Sequence, residues 1–207
     1  MKTLLLSLCL FMTSLSWAGG IGIISASQGP VRWYKGDDAV KLGRGDTIAE
    51  GSRVMTGERA RLVARMNDGS VITLGANTTM EFTDWQFAEG SQANHAELTM
   101  VEGVFRFVTG LITDQPDPQL TVATPSASIG VRGTDFWGGY LDADALDVIL
   151  LDGKHRLEIS NAFGKTDILQ PGLGVTVADG EKPGKPVKWG DEKLQRAVQS
   201  ITLDAKP

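Results

Sequence analysis

Cysteine is nearly missing: the one Cys of 207 residues is Cys9, inside the N-terminal apolar stretch. Once that stretch is removed no thiol remains, and disulfide stabilisation is excluded. Histidine is almost as scarce. His95 and His155 have no second His or Cys at ligand spacing, so no transition-metal site is expected. There is no basic cluster. With 20 Lys and Arg against 25 Asp and Glu, the formal charge of −5 makes nucleic acid and anionic membrane poor partners. Long hydrophobic runs are also absent. Leu4–Met12, diluted by Ser7, falls well short of the roughly 20 residues needed to span a bilayer.

That short run has another use. Lys2 precedes it, Thr13 and Ser14 follow it, and Ser16 and Ala18 fit a small-x-small cleavage pattern. Residues 1–18 read as a secretion signal cut after Ala18. Gly19 follows the cut, not the cysteine of a lipoprotein. The mature chain, from residue 19, is expected in the periplasm or outside the cell, soluble and without membrane insertion. Losing Lys2 makes it one unit more acidic. Its length suits one domain, or one domain with an appendage.

Glycine is plentiful: 25 residues, set between short runs of β-branched and aromatic residues, the punctuation of many short strands. Ile21–Ser27 reads as a first strand before the Gly29-Pro30 turn. Val31-Arg32-Trp33-Tyr34 alternates. So does Ala60–Met66, with Leu62, Ala64 and Met66 on one face. Asn67-Asp68-Gly69-Ser70 then predicts a hairpin turn before Val71–Leu74. Val148–Leu151, Asp152-Gly153 and His155–Ile159 repeat the same syntax, predicting a second hairpin. Helix signals wait until the end. After a breaker-rich linker over 180–190, Asp191 can cap a helix to about residue 202, with Leu194, Ala197, Val198 and Ile201 as its apolar stripe. So short a helix is marginal alone and must dock, preferably on its own sheet. The fold class predicted is all-β: stacked antiparallel hairpins forming a sandwich or β-roll over 19–179, closed by one short C-terminal helix.

The order of several segments adds to this. Leu42-Gly43-Arg44-Gly45-Asp46 is followed by Gly51-Ser52-Arg53-Val54-Met55-Thr56-Gly57, then by Asn67-Asp68-Gly69-Ser70. Leu98–Phe105 comes next, and last Thr124-Pro125 with Gly130-Val131-Arg132-Gly133-Thr134-Asp135-Phe136. This set, with a motif core of about 42–151, resembles the FecR domain family of bacterial cell-envelope proteins. The family's known regulators sit across the inner membrane, control a sigma factor inside, and receive a signal outside from an outer-membrane receptor. This chain shows neither their cytoplasmic segment nor their spanning helix. The resemblance therefore implies the fold and a role in binding or signal reception, not sigma-factor control.

Read physically, Thr124, Pro125, Gly130, Arg132, Gly133, Thr134 and Phe136 form a structural corner. Gly130 and Gly133 allow bends or close approach. Arg132 is expected to fold inward onto carbonyls or a carboxylate, above Phe136 and Trp137. Arg44-Gly45-Asp46 reads as a turn. Asp142, Asp144 and Asp147 read as a solvated acidic turn, since the EF-hand pattern fails at its sixth and twelfth positions. No nucleophile elbow, phosphate loop or other cofactor motif occurs, so neither enzyme activity nor a cofactor is expected. Trp33 and Trp85 are candidate ligand-contact aromatics, Trp85 because its neighbours Asp84 and Gln86 are polar. The leading reading is an envelope module with a protein partner. The second is a carbohydrate-binding module on cell-wall glycan or exopolysaccharide. A hydrolase with an unrecognised carboxylate pair is third. A bare edge strand favours the first, and an exposed aromatic row the second. A cleft with two carboxyls within about 10 Å favours the third.

Overall fold

A computed structural model describes residues 20–204 apart from 36–37 and 143–144. The secretion signal and Asp144 lie outside the described residues. Among the described residues eighteen strands are present: β1 (Gly22–Gln28), β2 (Val31–Lys35), β3 (Asp38–Lys41), β4 (Thr47–Ile48), β5 (Arg53–Thr56), β6 (Arg61–Met66), β7 (Val71–Leu74), β8 (Thr79–Gln86), β9 (His95–Glu102), β10 (Val104–Val108), β11 (Gln119–Ala123), β12 (Ser128–Val131), β13 (Thr134–Gly139), β14 (Ala145–Gly153), β15 (Leu157–Asn161), β16 (Gly164–Ile168), β17 (Leu173–Ala178) and β18 (Val187–Lys188). A 3₁₀ turn covers Leu111–Thr113, and one helix, α1, covers Asp191–Ile201.

The strands make two nine-stranded sheets. Sheet A runs β18-β17-β14-β13-β10-β7-β6-β1-β4, and sheet B runs β16-β15-β12-β11-β9-β8-β5-β2-β3. From β6 onward the chain lays one or two strands in one sheet, crosses, and does the same in the other. Hairpins therefore stack along a β-sandwich, as the all-β reading predicted. Pairing is antiparallel except between β9 and β11, where Leu98 lies beside Val122. A parallel pair needs a long crossover. Here β10, in the opposite sheet, and the 3₁₀ turn supply it.

Period-two alternation sends one set of side chains between the sheets. Leu62, Ala64 and Met66 are all buried there, with Ile72, Leu74, Phe105 and Phe107 on the neighbouring strands. Val54, Phe82, Leu98, Val122 and Ile129 meet them from sheet B. Trp85, Phe107, Phe136 and Phe105 form a chain of rings, with successive centroids 6.5, 6.0 and 5.6 Å apart. Each such pair adds about 0.5–1.5 kcal/mol beyond burial. At the β9–β10 junction Gly103 has φ +94°, and a Cβ there would strike Thr78 and Asn77.

Four local expectations change. Asp152-Gly153 is not a hairpin turn. β14 runs through it, pairing Asp152 with Asp135 and Gly153 with Thr134, and β15 belongs to the other sheet. The predicted linker contains β18, which pairs with Leu173 and Gly174. The cap of α1 is Gly190, not Asp191, and Val198 is exposed. The helix does dock on its own protein. Ala197 and Ile201 pack on the outer face of sheet A with Val104, Trp137, Ile149 and Trp189. The Trp137 indole N–H donates to Ser200 Oγ (3.1 Å), and Lys193 Nζ donates to Asp147 (2.5 Å) while lying 4.5 Å from the Trp189 ring centre.

Candidate functional site

The Thr124–Phe136 motif forms a corridor from one end of the sandwich to the other. Thr124-Pro125-Ser126-Ala127 turns β11 into β12. The Thr124 backbone N–H and hydroxyl both donate to the Ala127 carbonyl (2.9 and 2.7 Å), and the Ala127 N–H donates back to Thr124 Oγ1 (3.1 Å). Pro125, which has no N–H to satisfy, sits exposed in that turn. At the far end Gly133, with φ +89°, carries the chain into sheet A, where any Cβ would face the His155 ring. The Thr134 carbonyl accepts from the Thr109 N–H and hydroxyl, both at 3.1 Å. Phe136 is fully buried in the ring chain. Five of the seven motif residues are thus accounted for by turns and core.

Gly130 and Arg132 are different. Ile129 and Val131 point into the core, so alternation places Gly130 on the outer face of sheet B, and Arg132, in the bend just after β12, lines the same surface groove. The expectation that Arg132 folds inward is therefore overturned. Its side chain is 39% exposed, and its hydrogen bond is a single one from Nη1 to Asp117 Oδ1 at 3.3 Å.

The two candidate aromatics also settle into the fold. Trp85 is only 3% exposed, and its indole N–H donates to Asn67 Oδ1 at 2.8 Å. The half-exposed ring inferred from its polar neighbours fails because strand neighbours face the opposite side. Trp33 shares the inner face with Val31 and packs half-buried on the core. Its indole N–H has no acceptor among the described residues. No sheet face among the described residues carries a row of exposed rings. Phe163, 60% exposed, stands alone at the β15–β16 turn.

Three concavities touch the corridor, the smallest, about 130 Å³, at Gly133 and Thr134. A groove of about 690 Å³ lies at the Pro125 end, lined by Val101, Glu102, Gly103, Ser126, Tyr140 and Asp179. The Ser126 hydroxyl is bonded to the Tyr140 phenol (3.0 Å) rather than to an imidazole, so a nucleophile–base pair is not assembled. Glu102 and Asp179 both stand in open solvent rather than in an apolar enclosure. A smaller groove of about 190 Å³ lies on sheet B around Gly130, between Thr121, Glu158 and Arg132.

Asp142 and Asp147, read from the sequence as parts of a solvated turn, both make structural contacts. Asp142 receives Arg196 Nη2 at 2.7 Å, and this hydrogen bond holds its carboxyl below the usual range. Asp147 is buried under α1 with Lys193 and Thr176. Among the described residues no group of three or more His, Cys, Asp or Glu side chains is placed to hold a metal ion. Arg44-Gly45-Asp46 is a turn closed by the Gly43 N–H on Asp46 Oδ2 (2.7 Å). Sequence reasoning missed the role of Asp68. Buried, it accepts from Ser70 N–H (2.9 Å), Ser70 hydroxyl (2.6 Å) and Ile112 N–H (3.1 Å), tying the β6–β7 hairpin to the 3₁₀ turn. The hydrogen bonds of His95, a residue weighed in the sequence only as a metal ligand, were also missed. Its two ring nitrogens face Ala93 O (3.0 Å) and Asp84 Oδ2 (2.9 Å), and the Ala93 carbonyl foremost raises its pKa above 6.5.

The motif order and this sandwich meet in one comparison: the sequence model for the FecR protein family matches residues 52–155. The chain belongs to the FecR family. A search of curated proteins finds no match. Two crystal structures of a proposed anti-sigma factor from Parabacteroides distasonis ATCC 8503, at 1.65 and 2.50 Å resolution, share the fold with TM-scores of 0.52 and 0.53. Identity is 18% in each case, over 69% of this chain and 62% of the other. This FecR chain therefore spans less than two thirds of the length of the structures it resembles.

Proposed function

We propose that this FecR-family chain is a non-enzymatic module of the cell envelope, exported to the periplasm, that receives a signal by contact with a protein partner. Family membership and the shared fold of the anti-sigma-factor structures support a regulatory setting. The signal-like N-terminus supports export. Among the described residues no helix is long and apolar enough to cross a membrane.

The observation that carries the reading is β3. Its four residues are all exposed, Val40 at 48%, and its outer edge has no strand partner among the described residues. The other edges are blunted. β4 and β18 are two residues long, and β16 is bridged to the 181–183 segment through Thr166–Pro183 (3.0 Å), with neighbouring Asn161 of β15 bonded to Glu181 (2.7 Å). A bare edge offers unpaired N–H and C=O groups to an incoming strand. The glycan reading lacks the ring platform it needs, and the hydrolase reading has only the solvent-exposed Glu102 and Asp179. Purified protein incubated with envelope extract, then cross-linked, should retain a discrete protein lost in Val40→Asp. Retention of glycan alone would reverse the reading.

A further inference from the structure

Gly130 and Arg132 are the two motif residues for which the fold has no evident use. Gly130 sits mid-strand between Thr121 of β11 and Glu158 of β15, in unbroken register. Its φ is outside the left-handed region, and a Cβ there would approach nothing closer than Glu158 Cβ at 3.7 Å, ordinary contact. Glycine inside a strand weakens it. Where neither a bulge nor crowding requires it, the remaining reason is close approach of another molecule. Here that approach is from outside, because Gly130 is the floor of the 190 Å³ groove.

Arg132 stands at one end of the same groove. Among the described residues its Nε and Nη2 have no acceptor. Its one partner, Asp117, is 73% exposed on the Pro116–Pro118 loop and easily displaced. The wall residue Glu158 is drawn toward Lys165 (3.3 Å) and Arg156 (3.9 Å), leaving the guanidinium held only by the exposed Asp117. A planar guanidinium fork matches a carboxylate in bidentate fashion.

We infer that this groove docks an extended peptide segment of a protein partner carrying an Asp or Glu side chain. The peptide backbone crosses Gly130, and the carboxylate takes the Arg132 fork. The site goes beyond the β3 edge, which lies at the other side of sheet B, and its test is independent of that edge.

The test is an NMR titration of ¹⁵N-labelled protein with N-acetyl-Ala-Glu-Ala-amide, its Gln counterpart and sodium acetate. Saturable shifts of the Gly130 and Thr121 amides and the Arg132 Nε–H are expected with the Glu peptide. Binding should be about tenfold weaker or more for the Gln peptide and acetate, the worth of a charge-assisted hydrogen bond. Gly130→Val and Arg132→Gln should each weaken the Glu peptide by about the same factor. Gly130→Val should melt no lower than the parent protein. The inference is overturned if no saturable shift occurs, if acetate or the Gln peptide binds as well, or if Gly130→Val binds normally. It is overturned too if Gly130→Val melts several degrees lower, since the glycine would then be structural.

Discussion

Replacing Asp68 by Ala removes an acceptor that three donors share. The site is buried, so water cannot freely replace the lost bonds. The Ile112 N–H is left without its acceptor, and the Ser70 N–H loses the bond that closes the hairpin turn. Each orphaned buried donor costs about 1–3 kcal/mol. The Ser70 hydroxyl can rotate to compensate in part, while still accepting the Gly110 N–H (2.8 Å). The total comes to roughly 3–5 kcal/mol. For a chain of this size each kcal/mol moves Tm by about 2–4 °C, so a fall of roughly 10 °C is expected. Asp68→Asn keeps one acceptor oxygen but turns an NH₂ toward a donor, and should lose about half as much. The assay is thermal and urea unfolding by circular dichroism, with hydrogen exchange at Ile112 as the local reporter. A fall of under about 2 °C for Asp68→Ala, with Ile112 protection intact, would refute the role given to the carboxylate.

Three further outcomes are expected. Trp189→Ala should cost about 3–4 kcal/mol and raise amide exchange throughout α1, because the indole fills the angle between Trp137 and Lys193; Val198→Ser, on the exposed side, should change stability by less than about 0.5 kcal/mol. Gly103→Ala should destabilise by about 1–3 kcal/mol, through its positive φ and the clash with Thr78, as read by urea unfolding. His95 should titrate above 6.5, because both nitrogens face acceptors and only the imidazolium can donate to both. Its folded pKa is raised, so its stabilisation is fully present below 6.5 and lost as pH rises through the folded value. The Tm advantage over His95→Gln should therefore shrink from pH 5.5 to pH 8; an advantage growing with pH would contradict the assignment.

Much of the sandwich was readable in the sequence because its signals are local. Alternation put Leu62, Ala64 and Met66 inside, and Asn67-Asp68-Gly69-Ser70 marked a turn that exists. The failures share a cause. Asp152-Gly153 carries the same turn chemistry, yet continues a strand, because pairing with Asp135 and Thr134 across the sheet overrides local preference. Trp85 looked exposed beside Asp84 and Gln86, although in a strand those neighbours testify to the opposite face. Arg132 looked internal because of the apolar Val131 beside it, yet it follows the end of β12 in a bend and is 39% exposed. The Asp68 network could not be foreseen, since Ser70 is local but Ile112 lies 44 residues away and arrives only through the crossover.

The covering of the two sheets is unequal, and that bears on where a partner can sit. The outer face of sheet A is occupied at its β18 end by α1, which buries Trp137 and Ile149. Its edge strands are two residues long and offer little ladder to extend. Among the described residues sheet B has no such cover. Thr121, Gly130 and Arg132 line a groove on its outer side, and its β3 edge is bare among the described residues. Removing α1 should therefore harm stability more than recognition, because the surface it shields is apolar and internal in character. Substitutions on sheet B should do the reverse. Recognition that survived both Val40→Asp and Arg132→Gln, yet failed on loss of Trp189 in a still-folded protein, would move the receiving surface to sheet A.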